Sequence, residues 1–356
     1  MKREILMRLE IQKVNLQMHA TKYLVLSFLA AAMLLAAGSF TAAPAAQPAQ
    51  SATTASAQTT FASPDEALQA LVAAAKAKDR AALAKLFGPE HEQLLSGDEV
   101  EDNQDLAEFA KAAQESAQLR KVSDNKYTIA IGRDNWPTPV PLIQKDGKWH
   151  FDTKAGLEEV LNRRIGENEL SAIATCRAYA VAQWEYYTEG DWDHDGVAEY
   201  ARKFISTPGH HDGLYWETPE GENQSPLGKL IAAASAEGYT SAEETPKAAG
   251  KGGSDKEERP SFDRAPYHGY YFKILTRQGP HAPGGKYGYV INGNMIAGYA
   301  LVAYPDKWGN SGVMTFIINQ QGRVYQKNLG PTTGKLALAM TEYNPDPSWK
   351  LVSTEP

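Results

Sequence analysis

"GENELSAIATCRAYAVAQWEYYTEGDWDHDGVAEYARKF", residues 166–204, holds the point at which the chain changes character. Its first part predicts one long helix over 166–188. Leu170, Ile173, Cys176, Ala180 and Trp184 recur there at three- and four-residue steps, as a core-facing stripe does. Directly behind that helix Asp191, Asp193 and Asp195 alternate, Gly196 permits a sharp turn, Val197 offers a carbonyl and Glu199 closes the run. Calcium takes six to eight oxygens, and alternate residues of a tight loop can point several carboxylates inward. The aspartates match the first, third and fifth places of an EF-hand loop, and Glu199 the ninth. The twelfth, where an EF-hand has its bidentate glutamate, is Arg202. A shorter loop closed by Glu199 fits better. The expected metal ligands are therefore Asp191, Asp193, Asp195, Val197 and Glu199, and the expected cofactor is a structural calcium. The plainer alternative is an exposed acidic turn, since Asp and Gly favour turns on their own account.

Upstream of this stretch the chain is helical first and extended afterwards. In "SPDEALQALVAAAKAKDRAALAKLF" Ser63 is placed to cap a helix with Glu66 three residues on, and Pro64 suits the first helical position. A break falls near Asp79, and a further helix is expected over "NQDLAEFAKAAQESAQL". "KYTIAIG" then alternates as a strand does, and "VPLIQKDGKWHFDT" reads as two strands around Lys145-Asp146-Gly147. Helices followed by a curved antiparallel sheet make an α+β unit, with the element order of the cone-shaped nuclear-transport-factor-like or cystatin-like folds. That is fold analogy and implies no activity.

Downstream, "SPLGKLIAAASAEG" is a short helix and residues 241–266 are a charged, Gly- and Pro-rich linker or mobile loop. Residues 267–353 are β-rich, with aromatic and β-branched runs separated by Gly, Pro and Asn; "TFIINQQGRVYQ" reads as a hairpin. The expected organisation is a cone-like domain over 61–165, the long helix with its aspartate loop and short helix over 166–240, the linker, and an antiparallel β-rich domain over 267–353.

The N-terminus supplies an address. A basic segment with Lys2, Arg3, Arg8, Lys13 and Lys22 precedes the uncharged run "YLVLSFLAAAMLLAAGSFTAA". That pattern describes a signal peptide over 1–43, with an uncleaved membrane anchor as the alternative. Residues 44–60, rich in Ala, Gln, Ser and Thr, form a solvated tether. Setting aside the five basic and two acidic residues of 1–60 takes the formal charge from −7 to −10. So acidic a body is a poor match for nucleic acid or anionic lipid, both of which call for a basic patch. A single cysteine, Cys176, excludes an intramolecular disulfide. In an exported protein, bound calcium is another way to staple the chain.

Other candidates are weaker. His210, His211 and Asp212 are residue types for zinc or acid–base chemistry, but adjacent histidines rarely aim at one metal, and a surface turn is the plainer reading. Cys176, on an apolar helical face, is expected to be a buried inert thiol. "APGGKYGYVINGNM" lacks the order of a phosphate loop. Tyr267, Tyr270, Tyr271, Phe272, Tyr287, Tyr289, Tyr299 and Tyr304 fit a sheet core more readily than a sugar- or peptide-binding face.

Three runs, "GDWDHDGVAEYARKFISTPGHHDGLYW", "YHGYYFKILTRQGPHAPGG" and "GNMIAGYALVAYPDKWGNSGVMTFIINQQGRVYQKNLG", in that order, resemble a family of exported bacterial proteins known as domain of unknown function 2950. The likeness extends from about Phe61 to Leu351. It implies an exported protein of a Gram-negative-type bacterium and carries over no catalytic residues. The expectation is thus a periplasmic or secreted, non-enzymatic envelope protein, a calcium-stabilised binding or assembly module whose partner is an envelope protein or polymer. The alternatives are an envelope hydrolase using His210, His211 or Asp212, and a secretion-system or pilus component.

Overall fold

The computed structural model describes residues 58–190, 192, 196–219, 223–237, 239 and 266–353. The expected signal peptide, nearly all of the tether and nearly all of the 241–266 linker lie outside the described residues. The described chain divides into two compact units, one of residues 58–97 and 102–161, the other of residues 98–101 and 162–353.

The first unit opens with helix α1, Pro64–Ala77. Ser63 Oγ accepts the Glu66 amide at 3.2 Å, and Glu66 Oε2 reaches back to the amide of Ala62 at 3.0 Å. The sequence predicts the Ser63 cap, and Glu66 bonds the amide one residue ahead of Ser63 rather than that of Ser63 itself. Lys78 ends α1 in the left-handed conformation, and Asp79 Oδ1 caps α2, Arg80–Phe87, by accepting the Ala82 amide at 2.9 Å. A short turn of helix α3, His91–Leu94, and the longer α4, Glu99–Glu115, follow. The antiparallel sheet comprises β1 (Ala117–Ser123), β2 (Lys126–Ile131), β3 (Trp136–Pro137), β4 (Leu142–Lys145) and β5 (Lys148–Phe151), in the order β1-β2-β4-β5 with β3 on β2. Asp146 and Gly147 both take positive φ in the β4–β5 turn, which the Lys145-Asp146-Gly147 signal had marked. Leu71, Leu83 and Leu86 of the helices bury against Ile129, Leu142, Trp149 and Phe151 of the sheet. The helix expected over 103–119 ends earlier, because Gln118 and Leu119 pair with Ala130 and Ile129 across the β1–β2 hairpin. Pairing with a neighbouring strand overrides the helical tendency of those residues.

Helix α5, Thr153–Glu189, is longer than the helix expected over 166–188, and the division between the units falls inside it. Asp152 Oδ1 accepts the Ala155 amide at 3.2 Å and supplies the true start. Gly166, read as a boundary, lies mid-helix, where a glycine costs only about 1 kcal/mol. Gly156 has a stricter role: a Cβ there would sit 2.8 Å from Val140 Cγ2 and 2.9 Å from the Pro139 carbonyl oxygen. No helix among the described residues is long and apolar enough to cross a membrane.

The second unit is built on a five-stranded antiparallel sheet. Its strands are β6 (Tyr270–Leu275), β11 (Ala300–Pro305), β12 (Met314–Asn319), β13 (Tyr325–Asn328) and β14 (Lys350–Leu351), ordered β14-β13-β12-β11-β6. Between β6 and β11 lie two small two-stranded ladders, β7 (Arg277–Gln278) with β8 (Tyr287–Gly288), and β9 (Val290–Ile291) with β10 (Asn294–Met295). Helices α6, Gly228–Glu237, and α7, Thr333–Ala339, complete it, and Lys273 Nζ caps the end of α7 through the Leu338 and Met340 carbonyls. The hairpin expected over 315–326 forms, with Ile317 opposite Tyr325.

The face that α5 buries is the predicted one only in part: Cys176 is buried and Ile173 and Ala180 pack against the core. Leu170 and Trp184 are 41% and 38% exposed. The buried line runs through Arg164, Asn168, Ala172, Cys176, Tyr179, Gln183 and Tyr186, still at helical spacing but mixed in polarity. Its polar members are all engaged. Arg164 donates to Asn310 Oδ1 at 2.9 Å and Asn168 to the Ser311 carbonyl at 3.1 Å, while neighbouring Glu169 Oε1 accepts the amides of Val313 and Met314, both at 3.0 Å. Together they grip the β11–β12 loop.

Candidate functional site

The C-terminal end of α5 and the segment after it form the most elaborated region of the second unit. Gln183 is fully buried and works as a double clamp. Its Oε1 accepts the Ala201 amide at 2.9 Å, and its Nε2 donates to the Ala201 carbonyl at 2.7 Å and to Tyr179 Oη at 2.9 Å. One side-chain amide thus takes the place of a neighbouring strand for residue 201. Tyr179 Oη in turn donates to the Ala300 carbonyl at 3.3 Å, tying the clamp to β11.

Two further anchors bracket the aspartate loop in sequence. Before its core, Trp192 donates from Nε1 to the Tyr186 carbonyl at 2.9 Å and packs on Tyr186 and Trp216, with ring centroids 5.8 and 4.9 Å away. After it, Glu199 Oε2 accepts the Met295 amide at 2.8 Å, and the Tyr200 amide donates to the Met295 carbonyl at 2.8 Å. The Tyr200 ring stacks on Tyr187 at 4.7 Å and meets the edge of Tyr299 at 4.9 Å. Burial, and after it the neighbouring Tyr187, raises the Tyr200 hydroxyl above its usual range. Of the sequence-predicted ligands, Val197 and Glu199 are half-buried within this frame, whereas Asp191, Asp193 and Asp195 lie outside the described residues. Among the described residues no group of three or more His, Cys, Asp or Glu side chains is placed to hold a metal.

The end of α5 that leads into the loop is rich in carboxylates. The last turn of α5 has no basic residue and carries Glu185 and Glu189 one turn apart. Burial and then Glu189 raise the Glu185 carboxyl above the usual range, with Lys229 opposing. A helix C-terminus already presents the negative end of the peptide dipoles. Carboxylates there stand against the field, and Lys229 offsets it in part at Glu185.

The His210–Asp212 segment is a closed turn. Asp212 Oδ1 accepts the Thr207 amide at 2.7 Å, while Oδ2 accepts Thr207 Oγ1 at 2.8 Å and Lys203 Nζ at 2.6 Å. Burial pushes the Asp212 carboxyl up, but these bonds outweigh it and bring it down to about 2. Gly213 lets the returning strand come close, because a Cβ would lie 2.7 Å from the Ser206 amide nitrogen. His210 is exposed. The exposed His211 lays its ring on Trp216 at 4.3 Å, and its carbonyl accepts from Tyr186 Oη at 2.7 Å. The three side chains do not converge on one point.

The remaining candidates fall in the core. Cys176 is fully buried, and burial pushes its thiol up to about 12, with Arg177 opposing. Tyr267, Tyr270, Phe272, Tyr289, Tyr299 and Tyr304 are buried, while Tyr271 and Tyr287 are half-buried. The glycine-rich run after β7 is a turn strapped down by buried Gln278, whose Nε2 donates to the Pro283 and Gly285 carbonyls at 2.8 and 2.7 Å. Sequence reasoning missed Gln183, Trp192, Tyr200 and Met295. The one signal for them was a tryptophan set between two aspartates of the loop.

These features define an α+β protein with a long helix leading into a β-rich second unit, fastened where the helix ends. The chain belongs to the family described as "Protein of unknown function (DUF2950)", whose model matches residues 58–352. No curated protein and no solved structure matches it.

Proposed function

We propose that this chain is an exported, non-enzymatic cell-envelope protein, a calcium-stabilised binding or assembly module of the periplasm. The observation that carries the calcium reading is the base-free end of α5. Glu185 and Glu189 stand there ahead of a loop bearing three aspartates and closed by the pinned Glu199. The donor set is all oxygen, and it comes from consecutive alternate positions, which suits a hard cation of calcium's size. Asp191, Asp193, Asp195 and Glu199 would supply carboxylates and Val197 a carbonyl. The ion would neutralise that charge and join α5 to the segment that Gln183 and Met295 hold.

The cone-like reading of the first unit draws its support from element order, helices before a four-strand antiparallel path. Export rests on the basic and apolar N-terminal pattern. A hydrolase built on His210, His211 and Asp212 has little support, since Asp212 is committed to Lys203 and Thr207.

The test is thermal melting in excess chelator and then across a calcium titration. At a hundredfold excess over the dissociation constant, linkage predicts about 2.7 kcal/mol of stabilisation. Asp193→Ala and Asp195→Ala should abolish that increment and change little in chelator. A flat titration, or equal losses in both buffers, reduces the loop to an acidic turn.

A further inference from the structure

Tyr343 and Asn319 are each 0% exposed, and each carries a polar atom that meets no protein partner among the described residues: the Tyr343 hydroxyl and Asn319 Nδ2. Native cores leave few such groups unmet, because a stranded donor forfeits the hydrogen bonds it made to water in the unfolded chain. Both atoms belong to the corner of the second unit around Gln278 and Tyr289, which are fully buried as well. Tyr343 is bridged in parallel to Gln278. Its amide donates to the Arg277 carbonyl and its carbonyl accepts the Gly279 amide, both at 2.9 Å. The Tyr289 hydroxyl donates to Gln278 Oε1 at 3.0 Å. Burial raises the Tyr289 hydroxyl above its usual range, and the nearby Asn319 amide opposes that rise. Burial, then Tyr325 and Tyr289, raise the Tyr343 hydroxyl. Tyr289 is thus the neighbour that both unmet groups share.

The hydrogen-bond roles in this corner follow from the bonds already made. Gln278 Nε2 donates to the Pro283 and Gly285 carbonyls, so Oε1 is its acceptor, and Tyr289 commits its one hydroxyl proton there. The Tyr289 oxygen has only lone pairs left to offer. Asn319 Oδ1 accepts the Gln321 amide at 3.2 Å, which leaves the donor Nδ2 as the unmet end of that side chain. A species between them has to accept from Asn319 and donate to Tyr289, while the Tyr343 hydroxyl can do either. We infer that this corner binds a buried water, which accepts from Asn319 Nδ2 and Tyr343 Oη and donates to Tyr289 Oη. Three bonds are the usual complement of a buried water, and such waters settle on polar groups that the protein itself leaves unmet. An anion would face the Tyr289 lone pairs and a metal cation the Asn319 N–H, whereas water answers both. It joins the end of β12 to the residue ahead of β9 and to the segment behind α7. The inference is independent of calcium and of export.

Tyr343→Phe in the full chain tests this by the sign of its effect. With the water bound, the variant loses a hydrogen bond and its melting temperature falls by roughly 2–4 °C. If the hydroxyl is instead stranded and dry, removing it relieves the core. An unchanged or raised melting temperature therefore overturns the inference. A high-resolution crystal structure of the parent chain provides the second measurement and does not depend on how the variant folds. It should show an isolated density peak about 2.7–3.2 Å from Asn319 Nδ2, Tyr343 Oη and Tyr289 Oη. Asn319 Nδ2 bonded straight to Tyr289 with no peak between them overturns the inference, and so does a peak that scatters as chloride. A flat calcium titration leaves both measurements intact.

Discussion

Replacing Gln183 by leucine removes three hydrogen bonds from the core of the second unit and leaves their partners in place. Ala201 is 1% exposed, so its amide and carbonyl, at 2.9 and 2.7 Å from the glutamine, have no water to turn to. Each stranded buried backbone group costs about 1–3 kcal/mol. Tyr179 Oη loses a donor but still donates to the Ala300 carbonyl. Leucine is close in size and no longer buries an amide, which returns part of the loss. The net cost is about 3 kcal/mol. For a unit of this size about 1 kcal/mol shifts the melting temperature by roughly 2–4 °C, so a fall of about 6–12 °C is expected. Circular dichroism melts in chelator at neutral pH measure it directly. Ala201 also follows Glu199 by two residues, so the calcium increment should shrink in the same variant. Gln183→Glu provides an internal control. It keeps an acceptor for the Ala201 amide but sets a carboxylate against the Ala201 carbonyl. Burial would raise that acid, so its stability is present below the ordinary glutamate pKa of about 4.3 and lost as pH rises above it. A leucine variant melting within about 2 °C of the parent would refute the clamp, since stranded groups cannot cost so little.

Other predictions test the same frame. Glu199→Gln keeps an oxygen for the Met295 amide, so melting in chelator should hardly move while calcium stabilisation falls; equal losses in both buffers would mean that the residue serves only the hairpin. Asp212 has its folded pKa lowered from 3.8 to about 2, so its contribution is complete above 3.8 and disappears as pH falls through about 2. The carboxylate is 36% exposed, and screening limits that contribution to about 1 kcal/mol or less. The gap in denaturant stability between the parent and Asp212→Asn should therefore close between pH 4 and pH 2, and a pH-independent gap would refute the assignment. Cys176, buried with its thiol raised to about 12, should resist thiol reagents in the folded chain and react on denaturation. Prompt labelling of the native protein would show that this part of α5 opens.

What the sequence determined by itself is what local physics controls. The Ser63 and Asp79 caps, the Lys145-Asp146-Gly147 turn, the 315–326 hairpin and the entry of α5 into the aspartate loop each depend on residues a few positions apart. Their side chains and backbone dihedrals settle them before any tertiary contact forms. The burial of α5 was decided elsewhere. Leu170 and Trp184 read as core yet stand exposed, while Arg164, Asn168 and Gln183, which apolar spacing does not mark, are buried. A buried polar side chain is tolerated only where partners meet it. The partners of Arg164 and Asn168 lie more than 140 residues away, in the β11–β12 loop, and that of Gln183 lies across the aspartate loop. In the same way, nothing near Glu199 in sequence announces Met295, yet that one backbone amide fixes its carboxylate. Hydrophobic spacing registers how greasy a face is, and only the folded chain decides which polar groups have a partner waiting.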